Sequence, residues 1–131
     1  MTGPIETLVS DALGCLAAEH PAAYRELVRE LGPRRLDLDI DDEQFMIDLA
    51  APVLHGAVIS VTTDIDTLCA TVHGERDVLD TILDGRLDVI AGPDDLIALG
   101  RATTRFIQGA LRCVSMQPLL DRLVVLRKER T

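Results

Sequence analysis

Aromatic residues are almost missing from this chain: one Tyr, two Phe and no Trp in 131 residues. The core must therefore be built from Leu, Ile, Val and Ala. Positive charge is also scarce, with 13 Lys and Arg against 22 Asp and Glu, a formal net charge of −9. A nucleic-acid binder needs a basic face to displace counterions from phosphates, so this charge balance argues against nucleic acid. An anionic membrane surface repels such a chain as a whole. The C-terminal Arg127, Lys128 and Arg130 are a local exception. No apolar run is long enough to span a bilayer, so stable membrane insertion is not expected.

Other absences narrow the chemistry. Cys15, Cys69 and Cys113 make no CxxC pair, and their odd number leaves at least one thiol free. Reduced cysteines in a cytoplasmic protein are the expectation. The N-terminus has no basic n-region followed by an apolar h-region, so no signal peptide is expected. Neither Gly-x-Gly-x-x-Gly nor a Gly-Lys-Ser/Thr phosphate loop occurs, and there is no Gly-x-Ser-x-Gly elbow. Lysine occurs once among the 13 basic residues, which suggests a GC-rich bacterial genome.

What is present is an apolar content of 47% in a length suited to one domain, residues 1–131. Ile5, Leu8, Val9, Ala12, Leu13 and Leu16 follow the spacing of an amphipathic helix. Pro21 opens a second helix through Tyr24, Leu27, Val28 and Leu31, and Gly32-Pro33 stops it. The period then becomes two. Leu36, Leu38 and Ile40, then Phe45, Ile47 and Leu49, predict a hairpin with one apolar and one wet face. Pro52 and Gly56 bracket a turn. Residues 57–63 and 67–73, rich in β-branched side chains, read as a second hairpin. Val78, Leu79, Ile82 and Leu83 mark a short helix that Asp84-Gly85 closes. Leu87, Val89 and Ile90 continue it or form a tight connector. Gly92-Pro93-Asp94-Asp95 starts another helix, with Pro near the first position and acids at the positive end. Residues 106–115 alternate as a fifth strand, and a last amphipathic helix follows Ser115.

The stretch DLDIDDE, residues 37–43, spaces Asp37, Asp39 and Asp41 like a calcium loop. Such a loop needs Gly at its sixth position and a bidentate acid at its twelfth. Here the sixth is Asp42 and the twelfth is the short Asp48. Large apolar residues lie between the acids at period two. The stretch is therefore read as a strand with a solvated acidic face, which also discourages pairing with other chains.

No constellation for catalysis or metal binding emerges. His73 follows Cys69 by four residues, about 13 Å along a strand at roughly 3.3 Å per residue. One metal cannot take both on a strand; on a helix the pair would meet. His20 and His55 lack an orienting partner, and His20 before Pro21 reads as a helix-start residue. Each cysteine reads as a small buried apolar residue. No catalytic residue, metal ligand or cofactor is expected.

Two segments resemble the sterol carrier protein-like domains. Residues 106–123, FIQGALRCVSMQPLLDRL, are similar to that family's closing segment: an aromatic-apolar pair, Gln, Gly, a short basic strand and an amphipathic C-terminal helix. Residues 68–85, LCATVHGERDVLDTILDG, resemble its strand, turn and helix ending in Gly. The resemblance implies an α/β (α+β) sandwich whose five-stranded, largely antiparallel sheet is covered by helices on one face, with an apolar tunnel between the layers. By position, Phe106, Ile107 and Gln108 would sit near the tunnel mouth, with Gln108 orienting a ligand head. Leu111, Met116, Leu119, Leu120 and Leu123 would line it. The chain departs from the family at residues 86–105, a longer helical connection, and at Ser115, where a glycine is common.

The resemblance implies a cytoplasmic lipid-binding or lipid-transfer protein, not an enzyme, holding a fatty acid, acyl-CoA or sterol. The alternative is a protein-interaction module of the same fold with a closed cavity. It would form a homodimer or a complex through the acidic hairpin and residues 86–105.

Overall fold

The computed structural model describes residues 3–49 and 58–130. The turn expected at Pro52–Gly56, with His55, and the first residue of the strand expected from Ala57 lie outside the described residues.

Helix α1, Pro4–Glu19, starts with Pro at its first turn and buries Ile5, Leu8 and Leu16. His20 ends it and begins helix α2, Pro21–Leu31, where the His20 ring accepts a hydrogen bond from the Ala23 N–H at 3.4 Å. Gly32 closes α2 at φ +59°, in the left-handed region that glycine tolerates. Strands β1, Arg35–Ile40, and β2, Glu43–Ile47, form the expected antiparallel hairpin, with Asp37 opposite Met46 and Leu38 opposite Phe45. Its two-residue turn places Asp41 and Asp42 at φ 52° and 68°, the twist a tight hairpin requires.

Strand β3, Val58–Thr63, pairs parallel to β1, and strand β4, Asp88–Ile90, pairs antiparallel to β3. The sheet order is β2-β1-β3-β4. Among the described residues the sheet therefore has four strands, not five, and its central pairing is parallel. Register puts Leu36, Leu38, Ile40, Phe45, Ile59 and Val61 on one face. Asp37, Asp39, Ser60 and Thr62 lie on the other, wet face, as the alternation in the sequence requires.

The segments read as the remaining strands are helical. Helix α3, Ile65–Val72, replaces the strand expected at 67–73. Asp64 caps it, accepting the Thr67 N–H at 2.7 Å, and the Thr71 hydroxyl donates to the Thr67 carbonyl at 2.8 Å. Local side-chain bonds to the backbone thus outweigh the β-branched propensity. After helix α4, Val78–Leu83, residues 88–90 form β4, neither a helical continuation nor a simple connector.

Helix α5, Pro93–Ala110, runs through residues 106–110, where the fifth strand was expected, and a turn over 111–115 follows it. No proline stands between Leu96 and Ala110. Leu99, Ala102, Phe106 and Ala110 recur every three or four residues, so the helical stripe continues. Gly109 makes close contact with the N-terminal helices: a Cβ there would lie 2.6 Å from Leu16 Cδ1 and 2.8 Å from Ala23 Cβ. Helix α6, Met116–Glu129, closes the fold and packs on α1 and α3.

Candidate functional site: an apolar cavity between sheet and helices

The buried side chains form two clusters. One joins Leu16, Leu27, Leu36, Ile59 and Leu99 to Met116. The other joins Ile5, Leu8, Ile40, Phe45 and Cys69 to Leu123. Leu38, Ile47 and Leu119 touch both. Between them lies a cavity of about 220 Å³, walled by the inner sheet face and by helices α1 to α6.

The described lining residues include no ionisable side chain. Its polar members are Thr63, Thr67, Thr71 and Thr103. Three of these spend their hydroxyls on backbone carbonyls: Thr63 on Arg86 at 2.9 Å, Thr71 on Thr67 at 2.8 Å, and Thr103 on Leu99 at 2.8 Å. The cavity is only partly enclosed, and the apolar surface it leaves uncovered is unfavourable in water. An engineered apolar cavity of about 150 Å³ already takes up benzene.

Of the residues singled out in the sequence, Phe106, Met116, Leu119, Leu120 and Leu123 line this cavity. Met116 is almost wholly buried at 1% exposure. Ile107, Gln108 and Leu111 do not line it. Gln108 is exposed, and Leu111 is 82% exposed. The cause is the helical conformation of 106–110, which turns Phe106 and Ala110 inward and Gln108 away. A strand would have alternated the same residues. The sequence reading missed the walls supplied by α1, β1 and α3. The amphipathic stripe of α1 was legible, but nothing in a stripe distinguishes a cavity wall from close packing. For α3, the sign was Asp64 three residues before Thr67, a helix cap.

Because 67–73 is helical, Cys69 and His73 do meet, with Sγ to Nδ1 at 3.5 Å. Nδ1 also lies 2.7 Å from the Cys69 carbonyl, an acceptor, so Nδ1 carries the proton and cannot take one from the thiol. Burial pushes the Cys69 thiol up, against the pull of Arg127, whose Nη1 lies 3.9 Å from the sulfur. This pair is a helix-end contact without a nucleophile. Cys15, Cys69 and Cys113 are all free.

The acids of the hairpin turn serve helix ends. Glu43 falls on the inner face of the sheet and accepts the N–H groups of Ile5 at 3.2 Å and Glu6 at 2.7 Å, at the start of α1. Asp41 accepts the Ile65 N–H at 3.2 Å, at the start of α3. Arg130 lies 3.8 Å from Asp41 and 3.7 Å from Glu43. Among the described residues no group of three or more His, Cys, Asp or Glu is arranged to hold a metal. No helix among them is long and apolar enough to cross a membrane.

No protein-family model and no curated protein matches the sequence. Among solved structures, the chain is similar to the crystal structure of sterol carrier protein 2 like 2 from Aedes aegypti. The identity is 20% and the TM-score 0.48, over 73% of this chain and 93% of that one.

Proposed function

We propose that this protein is a small cytoplasmic carrier that holds an apolar, lipid-like ligand between its sheet and its helices, without catalytic chemistry. The observation that carries this reading is the apolar cavity of about 220 Å³, whose described lining has no ionisable side chain. An occupant of matching chemistry covers the apolar lining, and buried apolar surface contributes about 25 cal/mol per Å². Phe106, Met116, Leu119, Leu120 and Leu123 are its proposed contacts. Three free thiols fit a reducing compartment.

The test is native mass spectrometry of detergent-free protein, before and after incubation with mixed fatty acids, acyl-CoAs, sterols and fatty alcohols. A discrete adduct on the folded protein is expected, and its mass names the ligand class. Leu120→Arg, which places a charge in the cavity wall, removes the adduct while circular dichroism remains that of the folded chain. Bare protein throughout refutes the carrier and favours an interaction module, and a dimer in the same spectrum identifies a self-partner.

A further inference from the structure

Cys15, near the end of α1, and Cys113, in the turn between α5 and α6, are brought together by the contacts around them. Glu19, one helical turn after Cys15, accepts the Cys15 thiol at 2.9 Å and the Ser115 N–H at 3.3 Å. Its carboxylate thus joins Cys15 to a residue two positions past Cys113. Leu16 packs so closely on Gly109 that a Cβ there would lie 2.6 Å from Leu16 Cδ1, and the Cys113 thiol donates to the carbonyl of that same Gly109 at 3.3 Å. Cys113 belongs to the larger buried cluster, and Cys15 packs against that cluster. Burial raises both thiols most, and Glu19 adds to this at each; a side-chain hydrogen bond between the two then raises Cys15 and lowers Cys113. Cys69 is set apart on α3, in the other cluster.

We propose that Cys15 and Cys113 are a dithiol–disulfide pair, oxidised by peroxides, whose link fastens the end of α1 to the α5–α6 turn. Hydrogen peroxide first converts the half-buried Cys15 thiol to a sulfenic acid and releases one water. The Cys113 sulfur then attacks that of Cys15. The S–S bond forms, the S–O bond breaks, and the hydroxyl leaves as a second water with the Cys113 proton. The two sulfurs give up two electrons, which the O–O bond of the peroxide takes.

Only the thiolate attacks, and at neutral pH burial and Glu19 keep it scarce. The pair is therefore slow, an answer to sustained oxidation and not to a brief pulse. In a reducing compartment it stays open. The link closes a loop of most of the chain, which restricts the unfolded state strongly, so the oxidised fold is the more stable one. It also joins the α1 wall of the cavity, at Ala12 and Leu13, to the α6 wall that begins at Met116.

The experiment exposes the folded full chain to hydrogen peroxide at neutral pH, alkylates the remaining thiols and maps the tryptic peptides. The three cysteines fall in different peptides, residues 1–25, 36–76 and 113–122. The intact mass is expected to fall by two hydrogens, with peptide 1–25 joined to 113–122 and Cys69 alkylated. Loop closure alone favours either shorter link through Cys69, so dominance of the long link reports the folded geometry. Dithiothreitol restores the reduced mass, and the oxidised protein unfolds at higher urea than the reduced one. Cys69→Ser forms the link as wild type does, whereas Cys15→Ser, at the half-buried position, forms none while circular dichroism remains that of the folded chain. The pairing is overturned if links through Cys69 are as common, if the sulfurs take up oxygen without joining, or if the thiols survive prolonged exposure unchanged. A link that lowers the urea midpoint overturns the fastening of α1.

Discussion

The Glu43 carboxylate accepts the backbone N–H of Glu6 at 2.7 Å, across 37 positions of sequence. A residue that looks like part of a metal loop is thus the cap of a helix distant in sequence. Gly3 permits this approach, because a Cβ there would lie 2.3 Å from Glu43 Cδ. Glu43→Ala is expected to cost about 1–2 kcal/mol, the range of a lost helix cap together with its dipole contact. Glu43→Gln keeps an acceptor and costs less. Urea denaturation of both variants checks the order, and an equal loss would assign the effect to charge alone.

Calcium should leave the melting temperature where it is. Asp41 and Glu43 are occupied with helix N–H groups and with Arg130. A rise of several degrees with stoichiometric calcium would show that the hairpin turn rearranges into a loop.

Gly109→Ala separates helix propensity from packing. In an exposed helix interior this change gains about 1 kcal/mol. Here the new Cβ would meet Leu16 Cδ1 at 2.6 Å and Ala23 Cβ at 2.8 Å. Leu16 is fully buried and Ala23 has no flexible end to move. The variant is expected to lose about 1–3 kcal/mol, the usual cost of overpacking. A gain in stability would mean that α2 and α5 can move apart freely.

Ala102→Leu probes the cavity from the opposite direction. Ala102 is 3% exposed and lines the cavity. In a close-packed core the larger side chain would cost about 1–3 kcal/mol. Beside a void it fills space, so stability should rise by about 1 kcal/mol, as cavity-filling changes commonly do. Ligand uptake should fall in the same variant. Thermal denaturation and native mass spectrometry read the two effects separately.

Alkaline pH should destabilise the fold through its thiols. Burial pushes the Cys15 thiol from 9.0 up to about 12, and the neighbouring Glu19 carboxylate adds to the effect. Burial raises Cys69 and Cys113 as well. The folded state therefore holds these protons after the unfolded chain has released its own. Stability is fully present below pH 9 and declines as pH rises from there toward 12. Cys15→Ser should flatten that decline. Native protein should react slowly with iodoacetamide at pH 8, and urea-unfolded protein quickly.

The sequence by itself determined the elements whose signals are local. Pro4, Pro21 and Pro93 sit at helix starts, Gly32 ends α2, and the alternation from Leu36 to Ile47 makes the hairpin with its wet acidic face. The apolar stripe of α6 was equally legible, and with it four of its cavity contacts, Met116, Leu119, Leu120 and Leu123. Where two periods competed, only the tertiary structure decided. Residues 67–72 became a helix because Asp64 and Asp41 cap its start, and Asp41 arrives from another element. Residues 106–110 stayed helical because Gly109 fits against Leu16 and Ala23, and that choice turned Gln108 and Leu111 away from the cavity. Cavities and distant caps depend on how far elements stand apart after packing. A one-dimensional pattern records which face of an element is apolar, but not the distance to the face opposite.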